Sequence, residues 1–98
     1  MSEEQHKMIL DHFGEAAVML KMAEECNELA AAICRMNIAE KNNDPKNHGE
    51  AYHEVLEEFA DVLEVGERLK LFLNMESVNG IAEYKRQKTI KRIQKSKE

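Results

Sequence analysis

Tryptophan is absent from this sequence, and proline occurs once and glycine four times in 98 residues. So few breakers exclude a fold built on many tight turns, and the abundant Ala, Glu, Lys, Leu and Met favour helix. The composition predicts an all-α chain. Two cysteines are present, Cys26 and Cys34, with neither Cys-x-x-Cys nor Cys/His spacing. That excludes a disulfide-rich scaffold and the common zinc patterns, and predicts two buried thiols. No apolar run is long enough to span a bilayer, and Met1-Ser2-Glu3-Glu4 lacks a signal-peptide pattern. The expectation is one domain over 1–98, cytoplasmic, without a membrane partner.

Charge is abundant and uneven. Residues 85–98 hold seven Lys/Arg and one acid, which leaves seven bases against eighteen acids in the first 84 residues. An acidic body of this kind is a poor nucleic-acid surface and suits cations, or anions delivered with cations.

The apolar spacing predicts four helices. The first covers 3–13, with Met8, Ile9 and Phe13 on its apolar side, and Gly14 breaks it. The second runs from Glu15 to about Lys41, with a seam of Met19, Met22, Cys26, Leu29, Ile33 and Met36 at coiled-coil spacing. Asn42 to Gly49 reads as a loop, with His48 solvated in it. The third helix follows from Glu50 to about Leu73, with a stripe of Tyr52, Val55, Phe59, Val62, Gly66, Leu69 and Leu73. Gly66 in that stripe would allow close helix approach. A second break at 74–80, with Ser77 as N-cap, leads to a basic fourth helix over 78–95.

Two acidic clusters lie mid-helix, Glu24-Glu25-Cys26-Asn27-Glu28 and Glu57-Glu58-Phe59-Ala60-Asp61. Each offers carboxylates three residues apart, which are neighbours on one helix face. At ~100° per residue, Glu25 falls roughly 20° from Met36, at the edge of the seam, and Glu28 about 60° further out. Glu58 falls between Val65 and Leu69, inside the third helix's stripe, and Asp61 roughly 20° from Phe72. An unpaired buried carboxylate is costly, so Glu58 needs a partner. A metal ion would serve, and so would Lys21 or a base from the fourth helix. There Lys85 and Arg92 share a side with Val78, Ile81 and Ala82, and could turn toward the acidic centre to hold phosphate.

Glu24-Glu25-x-x-Glu28 followed by Glu58-x-x-Asp61 resembles the EExxE…ExxD signature of the MazG-like all-α nucleoside triphosphate pyrophosphohydrolases. Lys21-Met-Ala-Glu-Glu, Asp11-His-Phe-Gly14 and the stretch from Tyr84-Lys85 to Arg92 are similar as well, so the resemblance covers nearly the whole chain. It implies a four-helix MazG-like bundle, and the apolar stripes of the two long helices, more than two short flanking helices can cover, predict a homodimer or homotetramer. It further implies hydrolysis of a nucleoside triphosphate to the monophosphate and pyrophosphate, with Mg²⁺, or Mn²⁺ in its place, held by Glu25, Glu28, Glu58 and Asp61. Lys21, Lys85, Arg92, His12 and Phe13 are the implied substrate contacts. Two departures stand out. The stretch between the clusters is long, which predicts an enlarged 42–49 loop, and the lack of Trp leaves His12, Phe13, Phe59, Phe72 or Tyr84 to stack a base. The alternative expectation is a non-catalytic helical module whose acidic patches tune solubility or pairing.

Overall fold

A computed structural model describes residues 1–97, and among these there are four helices and no strand. Helix α1 spans Glu3–Phe13, α2 Glu15–Lys41, α3 Pro45–Leu69 and α4 Met75–Ser96. The boundaries follow capping chemistry. Ser2 and Gln5 form a reciprocal capping box at the start of α1. Gly14, at φ 89°, supplies the left-handed backbone that turns α1 into α2 with a single residue between them.

The link from α2 to α3 is three residues, Asn42–Asp44, and not the eight expected. Asp44 caps α3 by accepting from the Asn47 backbone N–H at 3.2 Å, and Pro45 takes the first helical position, where its missing N–H costs nothing. His48 and Gly49 are therefore helical, and the extra length between the acidic clusters is helix. At the other break, Asn74 rather than Ser77 is the N-cap of α4, accepting from the Ser77 N–H at 3.0 Å.

Helices α2 and α3 form an antiparallel pair. Arg35 and Glu54 meet near the link, and Met22 lies across from Gly66 far from it. The facing residues repeat at four and three in both helices. In α2 they are Val18, Met22, Glu25, Leu29, Ala32, Met36 and Ala39; in α3 they are Ala51, Val55, Glu58, Val62, Val65 and Leu69. All are buried or half-buried. This is a 3.5-residue repeat, with Ala and Val admitting close approach. The expected seam was half right. Met22, Leu29 and Met36 hold, but Met19, Cys26 and Ile33 are exposed, one residue round from the buried Val18, Glu25 and Ala32. Tyr52 and Phe59 are likewise exposed, and so are both cysteine thiols.

Helix α1 packs on α2 and α3 at the end of the pair far from the link. Met8 and Phe13 stay exposed, and the buried residue of α1 is His6, whose Nε2 lies 3.4 Å from Glu64 of α3. Helix α4 packs against none of the other three and has no buried residue. A four-helix bundle is thus not closed within one chain. The accessible surface is 7762 Å² and the radius of gyration 17.5 Å. A compact monomer of this mass would expose about 5,700 Å², with a radius near 13 Å. Among the described residues no helix is long and apolar enough to cross a membrane.

Candidate functional site

The seam carries one carboxylate in each helix. Glu25 is 4% exposed among the apolar residues of α2, and Glu58 is half-buried opposite. One turn beyond Glu58, Asp61 adds a third carboxylate at the rim. One oxygen of each of Glu25, Glu58 and Asp61 lies within 4.8 Å of the others. Glu28, one turn on from Glu25 and exposed, stands close enough to Glu58 for the two carboxyls to share a proton. The two helices therefore bring all four of the expected carboxylates to one place, with three of them at a spacing a single cation could bridge.

The electrostatics follow from this crowding. The Glu58 carboxyl is pushed up to about 7, first by its hydrogen bond with Glu28 and then by burial. The negative charges of Glu28, Asp61 and Glu25 act in the same direction. Lys21 stands one turn before Glu25, its Nζ 3.1 Å from Glu25 Oε1 and 3.6 Å from Glu24 Oε2. Those carboxylates, Glu25 foremost, raise the ammonium's pKa. Lys21 thus offsets Glu25 from one side and leaves Glu58 to its neighbours. Both Glu25 Oε2 and Glu58 Oε2 are enclosed without a hydrogen-bond partner. Buried polar atoms are normally satisfied by protein, water or an ion, so two orphaned carboxylate oxygens in this cluster leave room for a ligand. Hard oxygen donors of this kind suit Mg²⁺ or Mn²⁺, so the residues fit the expected metal.

No family model, no curated protein and no solved structure matches the chain.

Beside the carboxylates, at the α1 end of the groove, lies a cavity of 330 Å³. Its walls are Ile9, Phe13, Ala17, Val18 and Val65, and its polar groups are Lys21 and Arg68. Phe13 thus borders a slot next to the acids, and His12 packs edge-on against it at 4.7 Å between ring centres. Lys85 and Arg92 are elsewhere. They lie on α4, which touches neither α2 nor α3, so no base from that helix reaches the carboxylates of its own chain. Neither Lys21 nor a base of α4 pairs with Glu58.

Two residues escaped the sequence reading. Arg68 was within reach, since it sits seven after Asp61 and so shares its face of α3. His6 was within reach too, since it sits three before Ile9 and seven before Phe13, on the expected apolar side of α1.

Proposed function

We propose that this chain is a metal-dependent nucleoside triphosphate pyrophosphohydrolase of the MazG-like type. The observation that carries the reading is the meeting of Glu25, Glu58 and Asp61 across the seam, with two enclosed carboxylate oxygens left without partners. Burying acids in a helix–helix seam costs stability, and a binding role gives that cost a purpose. Glu25, Glu58 and Asp61 would hold Mg²⁺, or Mn²⁺, with Glu28 steadying Glu58 at the outer edge. Bound there, the ion would neutralise phosphate oxygens and lower the pKa of water.

The chain's own residues supply the rest. Phe13 and the apolar slot take the flat end of the ligand. Lys21, between the slot and the acids, is placed to leave Glu24 for a phosphate oxygen. Water adds to the α-phosphorus, the bond to the β-phosphate oxygen breaks, and pyrophosphate leaves. Glu28, exposed and next to Glu58, is the carboxylate placed to accept the water's proton.

Assembly belongs to the same proposal. The surface excess of about 2,000 Å² over a compact monomer is of the size a stable interface buries. Exposed Val78, Ile81 and Ile93 on α4, and Leu56, Phe59 and Leu63 on α3, supply apolar area for it. In a homodimer, or a tetramer built as a dimer of dimers, the basic α4 would cover the partner's acidic pair and bring Lys85 and Arg92 to the partner's phosphates. The same exposed area favours a purely structural oligomerisation module as the second reading, and the orphaned oxygens weigh against it.

A panel of nucleoside and deoxynucleoside triphosphates, with and without Mg²⁺, decides between them. Pyrophosphate released only with the metal is the expected result, with Glu58→Gln lowering the rate by about 10²–10³. Silence from every nucleotide would leave only the structural module.

A further inference from the structure

We propose that Arg68 reads the base of the nucleotide, selecting guanine or cytosine in the slot between α1, α2 and α3. The inference rests on the nucleotide reading above and names the substrate class within it.

The slot is apolar apart from two groups, and both are donors only. Lys21 offers an ammonium and Arg68 a guanidinium, and neither accepts a hydrogen bond. A ligand seated there must therefore bring the acceptors. Lys21 is engaged by Glu25 and Glu24. Arg68 is not engaged. Among the described residues it pairs with no carboxylate, its Nε is enclosed without a partner, and Nη2 reaches only the weak acceptor Met1 Sδ at 4.0 Å. An enclosed guanidinium nitrogen with nothing to donate to is a binding function without its ligand.

Position supplies the second line of argument. Arg68 and Asp61 are seven residues apart on one face of α3, about 10 Å along the axis at 1.5 Å per residue. On α2, Lys21 lies between slot-lining Ala17 and Glu25. Slot, ammonium and carboxylates are thus consecutive stations in one groove. A base, a sugar and a phosphate chain have the same order and a similar reach. The basic α4 of a second copy is a poor rival occupant, since it would set cations against Lys21 and Arg68.

Fork geometry then sets the preference. A guanidinium donates two parallel hydrogen bonds to a pair of adjacent acceptors. Guanine presents such a pair at O6 and N7, the commonest arginine contact to a base. Cytosine presents one at O2 and N3. Adenine places an amino donor beside N7, and uracil and thymine place an N–H between their two carbonyls.

Titration calorimetry in Mg²⁺ with GMP, CMP, AMP and UMP tests this without any turnover. The parent should bind GMP and CMP at least tenfold more tightly than AMP and UMP. Arg68→Leu should erase that gap while keeping its helical circular dichroism. Ala17→Leu alters an exposed slot wall, leaves Arg68 in place, and should weaken all four ligands. Equal binding of the four by the parent, no binding at all, or an unchanged ranking in Arg68→Leu would each overturn the assignment. Pyrophosphate release from the same proteins separates the two claims. Release with a ranking untouched by Arg68→Leu retains the hydrolase and removes Arg68's role. A ranking lost in Arg68→Leu, without release from any triphosphate, does the reverse.

Discussion

The flanks and the centre of the α2–α3 seam are made of opposite materials. Toward the flanks the facing positions are Val18, Ala32, Ala39, Ala51 and Val65, small, apolar and buried. At the centre the same heptad positions hold Glu25 and Glu58. The flanks therefore bring the helices together, and the centre uses that closeness to force carboxylates into one another's company. Stability and function occupy one stripe, divided along its length. A substitution should act with opposite sign according to which part it strikes.

The largest effects should come from exchanging the two materials. Ala32 has no exposed surface, and Ala32→Leu inserts three carbons into a closed contact. It should cost about 1–3 kcal/mol, with the melting temperature falling by about 4–8 °C for each kcal/mol. Glu58→Gln, in EDTA, should melt at the parent's temperature or above it, since it removes one of several crowded charges and keeps the shape. If both variants melt early by similar amounts, the centre is as structural as the flanks.

Metal binding sharpens the contrast from the other side. Mg²⁺ at about a hundred times its dissociation constant should add about 2.7 kcal/mol to the parent by linkage. The rise should be largely lost in Glu58→Gln and retained in Ala32→Leu. Equal Mg²⁺ responses in all three proteins, read as melting temperature against concentration, would remove the ion from the centre.

Titration gives a smaller effect of known sign. Folding raises the Glu58 carboxyl from 4.5 to about 7, so between those values the folded protein binds more protons than the unfolded chain. The metal-free protein is then most favoured near or below pH 4.5 as far as this group is concerned, and loses that contribution as pH rises through 7. Melting in EDTA should fall between pH 5 and 7.5 in the parent, with a flatter profile in Glu58→Gln. A parent profile that rises over this window would contradict the crowding. The smallest effect belongs to Gly66. A Cβ there would meet Met22 Cε at 3.7 Å, an ordinary contact, so Gly66→Ala should stabilise by at most about 1 kcal/mol through helix propensity. Destabilisation on chemical denaturation would mean that close approach at Gly66 matters after all.

Much of this was legible in the residues. Helix content, the α1 and α2 bounds and the inward set of Glu58 all follow from spacing and from Gly14. The seam of α2 was misplaced by one residue because two neighbouring faces are both apolar. Hydrophobicity favours the face with Met19, Cys26 and Ile33, whereas helix pairing favours the smaller Val18, Ala32 and Ala39. Glu25 deepens the error, since a carboxylate counts against the face it occupies. The start of α3 was missed because Asn42 to Gly49 has the composition of a loop. Asp44-Pro45 within it is a start signal that composition hides. Helix α4 reads as an ordinary helix in sequence, and nothing in its spacing tells that its own chain leaves it unpacked.

The three-residue link between α2 and α3 also bears on how the molecule comes to exist. With Asp44 capping one helix directly after the end of the other, the pair is a hairpin whose earliest contacts are its most local, such as Arg35 with Glu54. Low contact order of this kind belongs to fast folders. Closing runs outward from the link, so Glu25 and Glu58, separated by 33 residues of chain, meet only after several turns have zipped. Their repulsion arrives late on the path. It should therefore speed unfolding at high pH more than it slows folding. Stopped-flow refolding in EDTA at pH 5 and pH 8 would show that asymmetry in the two arms of the chevron.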